Sequence, residues 1–142
     1  MSRCVPGRHG TVTDDEKQIR ELVGRWAAAV HEGRMDDVLA DHAADILMFD
    51  VPPPDDGVRG IDAYRQTWPE FFAWQASGAR FELVELQVTT GEDVAFAAAL
   101  LRCGTDEEYA LHPGRRLRLT LGLRREGGRW VVAHEHHSFP LP

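Results

Sequence analysis

The sequence predicts an α+β fold, with helices packed on one side of a curved, mainly antiparallel sheet. Two observations carry that prediction. Apolar residues recur at helical spacing through most of the chain up to Gln75, and at alternate positions from Ala79 onward. Glycine-rich turns then cut the second half into long strands, so helices and strands are segregated along the chain rather than alternating.

Residues 1–12 contain Arg3, Pro6 and Arg8 without an apolar run and read as a flexible tail, and residues 13–142 read as one domain. Thr13-Asp14-Asp15-Glu16 has the form of a capping box, in which Thr13 accepts from the Glu16 amide and the Glu16 carboxylate reaches back. Ile19, Leu22, Val23, Trp26, Ala27 and Val30 follow at helical spacing, and Gly33 supplies a stop, giving a helix over 14–32. Asp36 can cap a second, short helix reaching about His42, with Met35, Val38 and Leu39 on its buried side. Ile46 to Val51 reads as a short strand, closed by Pro52-Pro53-Pro54-Asp55-Asp56-Gly57, which cannot continue a ladder. After Gly60 a third helix carries Ile61, Tyr64, Trp68, Phe71 and Phe72 on one face; Pro69 inside it predicts a kink or restart near Trp68. Four strands then span about 80–90, 93–103, 115–125 and 129–138, with hairpin turns at Thr90–Asp93 and Glu126–Gly128. The connection from Gly104 to Gly114 is polar apart from Tyr109 and Leu111.

Composition narrows the function. The 142 residues suffice for one domain with a real core. Sixteen Lys and Arg against 23 Asp and Glu give a net charge of −7, with no basic cluster dense enough to track phosphates, which argues against a nucleic-acid partner. No run approaches the ~20 apolar residues of a membrane span and the first residues do not form a signal peptide, so a cytoplasmic location is expected. Cys4 and Cys103 make neither a disulfide framework nor a zinc spacing and are expected as free thiols. No Gly-rich phosphate loop or Gly-x-Ser-x-Gly elbow occurs, and no cofactor is implied.

Candidate chemistry concentrates at two strand ends. Asp50 stands between Phe49 and Val51 on a strand whose Ile46 and Met48 share its side, which makes it a candidate general base facing an apolar space. The alternative is a carboxylate that accepts amides of the following loop. The last strand starts apolar at Trp130 and ends in His134-Glu135-His136-His137-Ser138. A two- or four-residue turn at Gly127-Gly128 puts Arg118, Thr120, Glu135 and His137 on one face, read as the cavity side. Leu117, Leu119, Leu121, Leu123, Trp130 and Val132 then line the other, as core or dimer surface. A three-residue loop would reverse the partnership and put His134 and His136 beside Arg118. These two histidines share a face and could chelate a metal or meet at a subunit contact; without further ligand spacing no metal is assigned. Arg102 can bind an anionic substrate group or pair with a carboxylate, while Tyr64, Trp68, Phe72 and Trp74 can line an apolar mouth or belong to the core.

Met48-Phe49-Asp50-Val51-Pro52-Pro53, Arg59-Gly60-Ile61-Asp62-Ala63-Tyr64 and Gly128-Arg129-Trp130, with His134 to Ser138, carry a family likeness. Over about residues 14–140 the chain resembles the nuclear transport factor 2-like superfamily, most nearly its SnoaL-like, ketosteroid isomerase-like members. The resemblance implies a cone-shaped fold, a strongly curved sheet with three N-terminal helices on its concave side. It also implies a cofactor-independent isomerase, dehydratase or polyketide cyclase acting on an apolar carbonyl compound, with Asp50 as general base. The family's oxyanion-donating tyrosine falls on Trp26, which donates only through its indole N–H, and its second donor, a protonated aspartate, falls near Thr120. Two of three matched positions thus carry different chemistry from a steroid isomerase. The expected catalytic groups are Asp50, Glu135 and His137, and the expected substrate contacts are Trp26, Tyr64, Trp68, Phe72, Arg102, Arg118 and Thr120. The rival reading is a non-catalytic ligand-binding or dimerisation module, with a homodimer formed through the outer sheet face by the leucine stripe and Trp130 and Val132.

Overall fold

The computed structural model describes residues 13–142, and the expected tail, with Cys4, lies outside them. Helix α1 (Asp14–Glu32) forms where its spacing places it. Thr13 Oγ1 accepts from the Glu16 amide at 3.1 Å, while the Glu16 carboxylate turns to Arg20 at 2.9 Å, so one arm of the capping box is made. Gly33 ends the helix at φ 71°, a left-handed conformation that glycine adopts without strain.

Helix α2 (Met35–Leu39) is one turn; Arg34 rather than Asp36 occupies its N-cap position, without a side-chain cap, and His42 lies beyond it. Asp41, at φ 60°, turns the chain directly into strand β1 (His42–Phe49), which therefore starts at His42 and not at Ile46. Aspartate is among the few residues that tolerate this backbone region. Strand β2 (Val58–Arg59) leads into α3 (Ile61–Gln66) and α4 (Trp68–Gln75). Pro69 restarts the helix at Trp68, in the first turn, where its missing N–H has no partner to lose. Strands β3 (Arg80–Thr90), β4 (Val94–Gly104), β5 (Leu117–Glu126) and β6 (Arg129–Ser138) follow the alternating pattern. The polar connection after β4 holds an extra helix, α5 (Asp106–Leu111), nucleated by a full Thr105–Glu108 capping box.

The sheet order is β2-β1-β6-β5-β4-β3, antiparallel throughout except for the β1–β6 pair. Helices α1, α3 and α4 pack on one face of the sheet. Ile19, Val23, Trp26 and Val30 of α1, with Tyr64 and Trp68, pack in one core against Ala97, Leu101, Leu117, Leu119, Leu121 and Val132 of the sheet. No helix among the described residues is long and apolar enough to cross a membrane.

The β5–β6 register decides the site. The turn is the two-residue Gly127-Gly128, both at positive φ (58° and 82°), so Glu126 faces Arg129 and Leu123 faces Val132. The next pair is Gly122 with His134, which leaves Ala133 as an extra residue. That bulge inverts the parity of everything after it: Leu121 faces Glu135, and Leu119 faces His137. The sequence expectation therefore fails on which residues share a face. Arg118 and Thr120 are exposed on the outer face, opposite Ser138 and His136, and do not join Glu135 and His137. Arg102, opposite Glu82, is exposed on that same outer face. The stripe of Leu117, Leu119, Leu121, Trp130 and Val132 is core, so it cannot supply a dimer surface.

Candidate active site

A cavity of about 340 Å³ opens between α4, the residues after β1 and the far ends of β4, β5 and β6. Trp68, Phe71, Trp74, Phe81, Leu117 and Phe139 form its apolar wall, and Asp50, Thr67, Glu70, Cys103 and His137 are its polar groups. This mixture of broad apolar wall and few polar groups is typical of small-molecule sites. His137 lies at the inner end, only 6% exposed, with Nδ1 3.9 Å from Asp50 Oδ1. Asp50 Oδ1 accepts from the Val51 amide at 2.8 Å, which fixes the carboxylate as the strand ends.

Behind His137 stands a wholly buried carboxylate. His137 Nε2 is 2.9 Å from Oε1 of Glu135, whose exposure is 0%. The other oxygen, Oε2, meets His42 Nε2 at 2.5 Å and accepts from the Tyr64 hydroxyl at 2.8 Å. Tyr64 in turn accepts from Trp26 Nε1 at 3.1 Å. One line of contacts thus runs from the cavity through His137 and Glu135 to His42, Tyr64 and Trp26.

Burial pushes the Glu135 carboxyl up, but the hydrogen bonds and charges of His137 and His42 outweigh it and hold the group down at about 2. Burial likewise lowers both imidazoles, and the bonds and charge of Glu135 more than reverse this, so each ends above its ordinary value. Burial, then the Glu135 charge, raise the Tyr64 hydroxyl well above its ordinary value, so it remains a donor. Burial raises the Cys103 thiol to about 12, with Glu108 and Asp50 adding to it, so this free cysteine stays protonated. Among the described residues no group of three or more His, Cys, Asp or Glu could hold a metal ion.

A SnoaL-like domain model matches residues 19–142. The chain belongs to the SnoaL-like domain family. A nuclear transport factor 2-like protein of unknown function from Pseudomonas putida is 35% identical, with 89% of this chain and 87% of that one covered at a TM-score of 0.77. A candidate ketosteroid isomerase from Shewanella frigidimarina shares the fold at 20% identity, over 83% of this chain and 92% of that one, with a TM-score of 0.63. A protein with a cystatin-like fold from Novosphingobium aromaticivorans does so at 19% identity, 89% and 82% coverage and a TM-score of 0.71. No curated protein matches the chain.

In this SnoaL-like domain the structure brings Asp50, His137 and Trp68 to one cavity and sets Glu135 immediately behind it. Trp26 and Tyr64 lie deeper: the Trp26 N–H is engaged by Tyr64, and its ring meets His137 edge-on with centroids 6.2 Å apart. Phe72 stacks on Trp68 at 5.8 Å and supports the wall rather than forming it. Arg102, Arg118 and Thr120 lie on the other side of the sheet, exposed. His42 is the residue that sequence reasoning missed. Spacing puts it at a helix end, and the available signal is Asp41 at the helix-to-strand turn, which starts β1 early and sends His42 under Tyr64.

Proposed function

We propose that this domain is a small cofactor-independent enzyme of the isomerase, dehydratase or cyclase type, acting on a neutral, largely apolar carbonyl compound. The supporting observation is the pairing of Asp50 with a carboxylate-backed His137 across one cavity, 3.9 Å apart and so not hydrogen-bonded to each other. Both groups line the cavity and are left available to a ligand held in it.

Because ionised Glu135 can only accept, His137 binds it through Nε2–H, and Nδ1 is the atom presented toward Asp50. Asp50 takes the proton from the carbon beside the carbonyl, and the electron pair of that bond moves toward the carbonyl oxygen. His137, in its imidazolium form, donates Nδ1–H to that oxygen. Return of the proton from Asp50 at another carbon gives isomerisation; its delivery to a β-hydroxyl, which leaves as water as the enolate electron pair re-forms the carbonyl and a carbon–carbon double bond, gives dehydration. Steroid isomerisation itself is not favoured, since Trp26 is engaged with Tyr64 and Thr120 lies outside the cavity.

The test is solvent deuterium exchange into enolisable cyclic ketones such as 2-tetralone, followed by NMR. Exchange above the buffer rate is expected, falling by about 10²-fold or more in Asp50→Asn and His137→Gln. Equal exchange by wild type, both variants and buffer across a ketone panel would overturn the reading and favour a ligand carrier.

The same proposal includes a homodimer formed by the outer sheet face, which exposes Val84, Val94 and Phe96. It also includes a reducing, cytoplasmic setting, with which the free Cys103 agrees.

A further inference from the structure

Building on the acid–base role given to His137, we propose that His42 is the resident imidazolium of the site: a positioning residue whose charge offsets Glu135 and leaves His137 as the histidine that exchanges its proton with the cavity. The hydrogen-bond inventory leads there. His42 is enclosed, its side chain 1% exposed. Its Nδ1 lies 2.9 Å from the Ala40 carbonyl oxygen, which can only accept, so Nδ1 carries a proton. Its Nε2 lies 2.5 Å from Glu135 Oε2.

Three donors converge on that one carboxylate, from His42, Tyr64 and His137, an arrangement that favours the anion. With Glu135 ionised, Nε2 of His42 must donate as well, and a ring that donates from both nitrogens is an imidazolium. The Tyr64 ring stacks on His42 with centroids 4.9 Å apart and planes at 28°, which suits a cation against an aromatic face. His137 differs in one respect. Only its Nε2 is committed, and its Nδ1 is turned toward Asp50 on the cavity side.

Among the described residues the only ionic partners of Glu135 are these two histidines. Without the His42 charge, Glu135 would draw its counter-ion from His137, which would then hold its proton too firmly to return it. The groups that bear on the two rings are few. Around His42 they are Asp41 beside it, Glu135 on β6 and Tyr64 on α3. Around His137 they are Glu135, Asp50 after β1, and, on the shared cavity wall, Cys103 of β4 and Glu70 of α4.

The experiment is nitrogen-15 histidine NMR of the full chain, titrated from about pH 5 to about pH 8. His42 is expected to keep protons on both ring nitrogens throughout, while His137 titrates and its neutral form carries the proton on Nε2. In His42→Gln, whose amide can still donate to Glu135 but carries no charge, the His137 titration is expected to move up by about one pH unit or more. A neutral His42 in the wild-type spectrum overturns the proposal, as does a folded His42→Gln protein whose His137 midpoint is unmoved. Should that variant not fold, the wild-type His42 spectrum decides alone. These readouts need no turnover. An inactive protein with a charged His42 would remove the catalytic reading only, and an active one with a neutral His42 would remove only the counter-ion.

Discussion

His136 and His137 are adjacent on β6 and sit in opposite environments. His136 is exposed on the outer face, edge-on to Phe49 at 5.5 Å, whereas His137 is buried on the inner face and bonded to Glu135. His134 shares the outer face, where it bonds the Leu47 carbonyl at 2.7 Å. Residue type alone therefore does not mark the site. Ala133, the extra residue of the bulge, sends one histidine to the cavity and the other to solvent. Every ionisable group beyond it belongs either to the Glu135 network or to the outer surface.

The sharpest way to break this contrast is to remove the carboxylate. Glu135→Ala leaves His42 buried without its partner, and a loss of about 3–5 kcal/mol is expected in urea denaturation. His136→Ala, one residue away, is expected to stay within about 0.5 kcal/mol of wild type. Comparable losses from the two substitutions would sink the division between faces. Tyr64→Phe should fall between them, costing about 1–3 kcal/mol, because it takes a donor from Glu135 and leaves the buried Trp26 N–H without its acceptor.

The inner network also ties stability to pH, and the outer histidines provide the control. A histidine raised in the folded state stabilises fully below its unfolded value and loses that contribution as pH rises through the folded value. His42 and His137 are of this kind. Glu135 is depressed, so its contribution is present above its ordinary 4.5 and fades as pH falls toward about 2. The network should therefore contribute most between the ordinary carboxyl value of 4.5 and the ordinary imidazole value of 6.5. Urea midpoints measured across pH should show that maximum in wild type and in His136→Gln. They should lose much of it in Glu135→Gln, and an unchanged profile there would place the pH dependence elsewhere.

Much of this was legible before the structure. The segregation of helices from strands, the Pro69 restart and the strand end before Asp50 all follow from spacing and backbone chemistry, and the SnoaL-like membership agrees with the fold class. The faces of β6 were not legible, because a bulge is a one-residue difference that alternation cannot register: Trp130, Val131 and Val132 are all buried in a row. Glu135 and His137 lie on the inner face together with the leucine stripe, whereas simple alternation groups them with Arg118 and Thr120, which lie on the outer face. His42 was hidden by a similar local event, since a left-handed Asp41 cannot be told from an ordinary helix end by periodicity. Both misses are backbone irregularities, and both lie next to the candidate chemistry.

The weakest expected effect on stability tests the outer face. Phe96 is 53% exposed and pairs across the sheet with Thr89 and Gly122, so in an isolated chain Phe96→Lys removes little burial and should stay within about 0.5 kcal/mol of wild type. If a second copy covers this face, the same substitution places a charge in an apolar contact and should dissociate it. Sedimentation should then fall from about twice 15.9 kDa to that value itself, with the deuterium-exchange activity of the cavity unchanged. A wild-type monomer at micromolar concentration would remove the homodimer, and the outer face would then be a solvated surface. Nothing on the inner face depends on that result, because Ala133 separates the two sides of β6 whether or not a partner covers one of them.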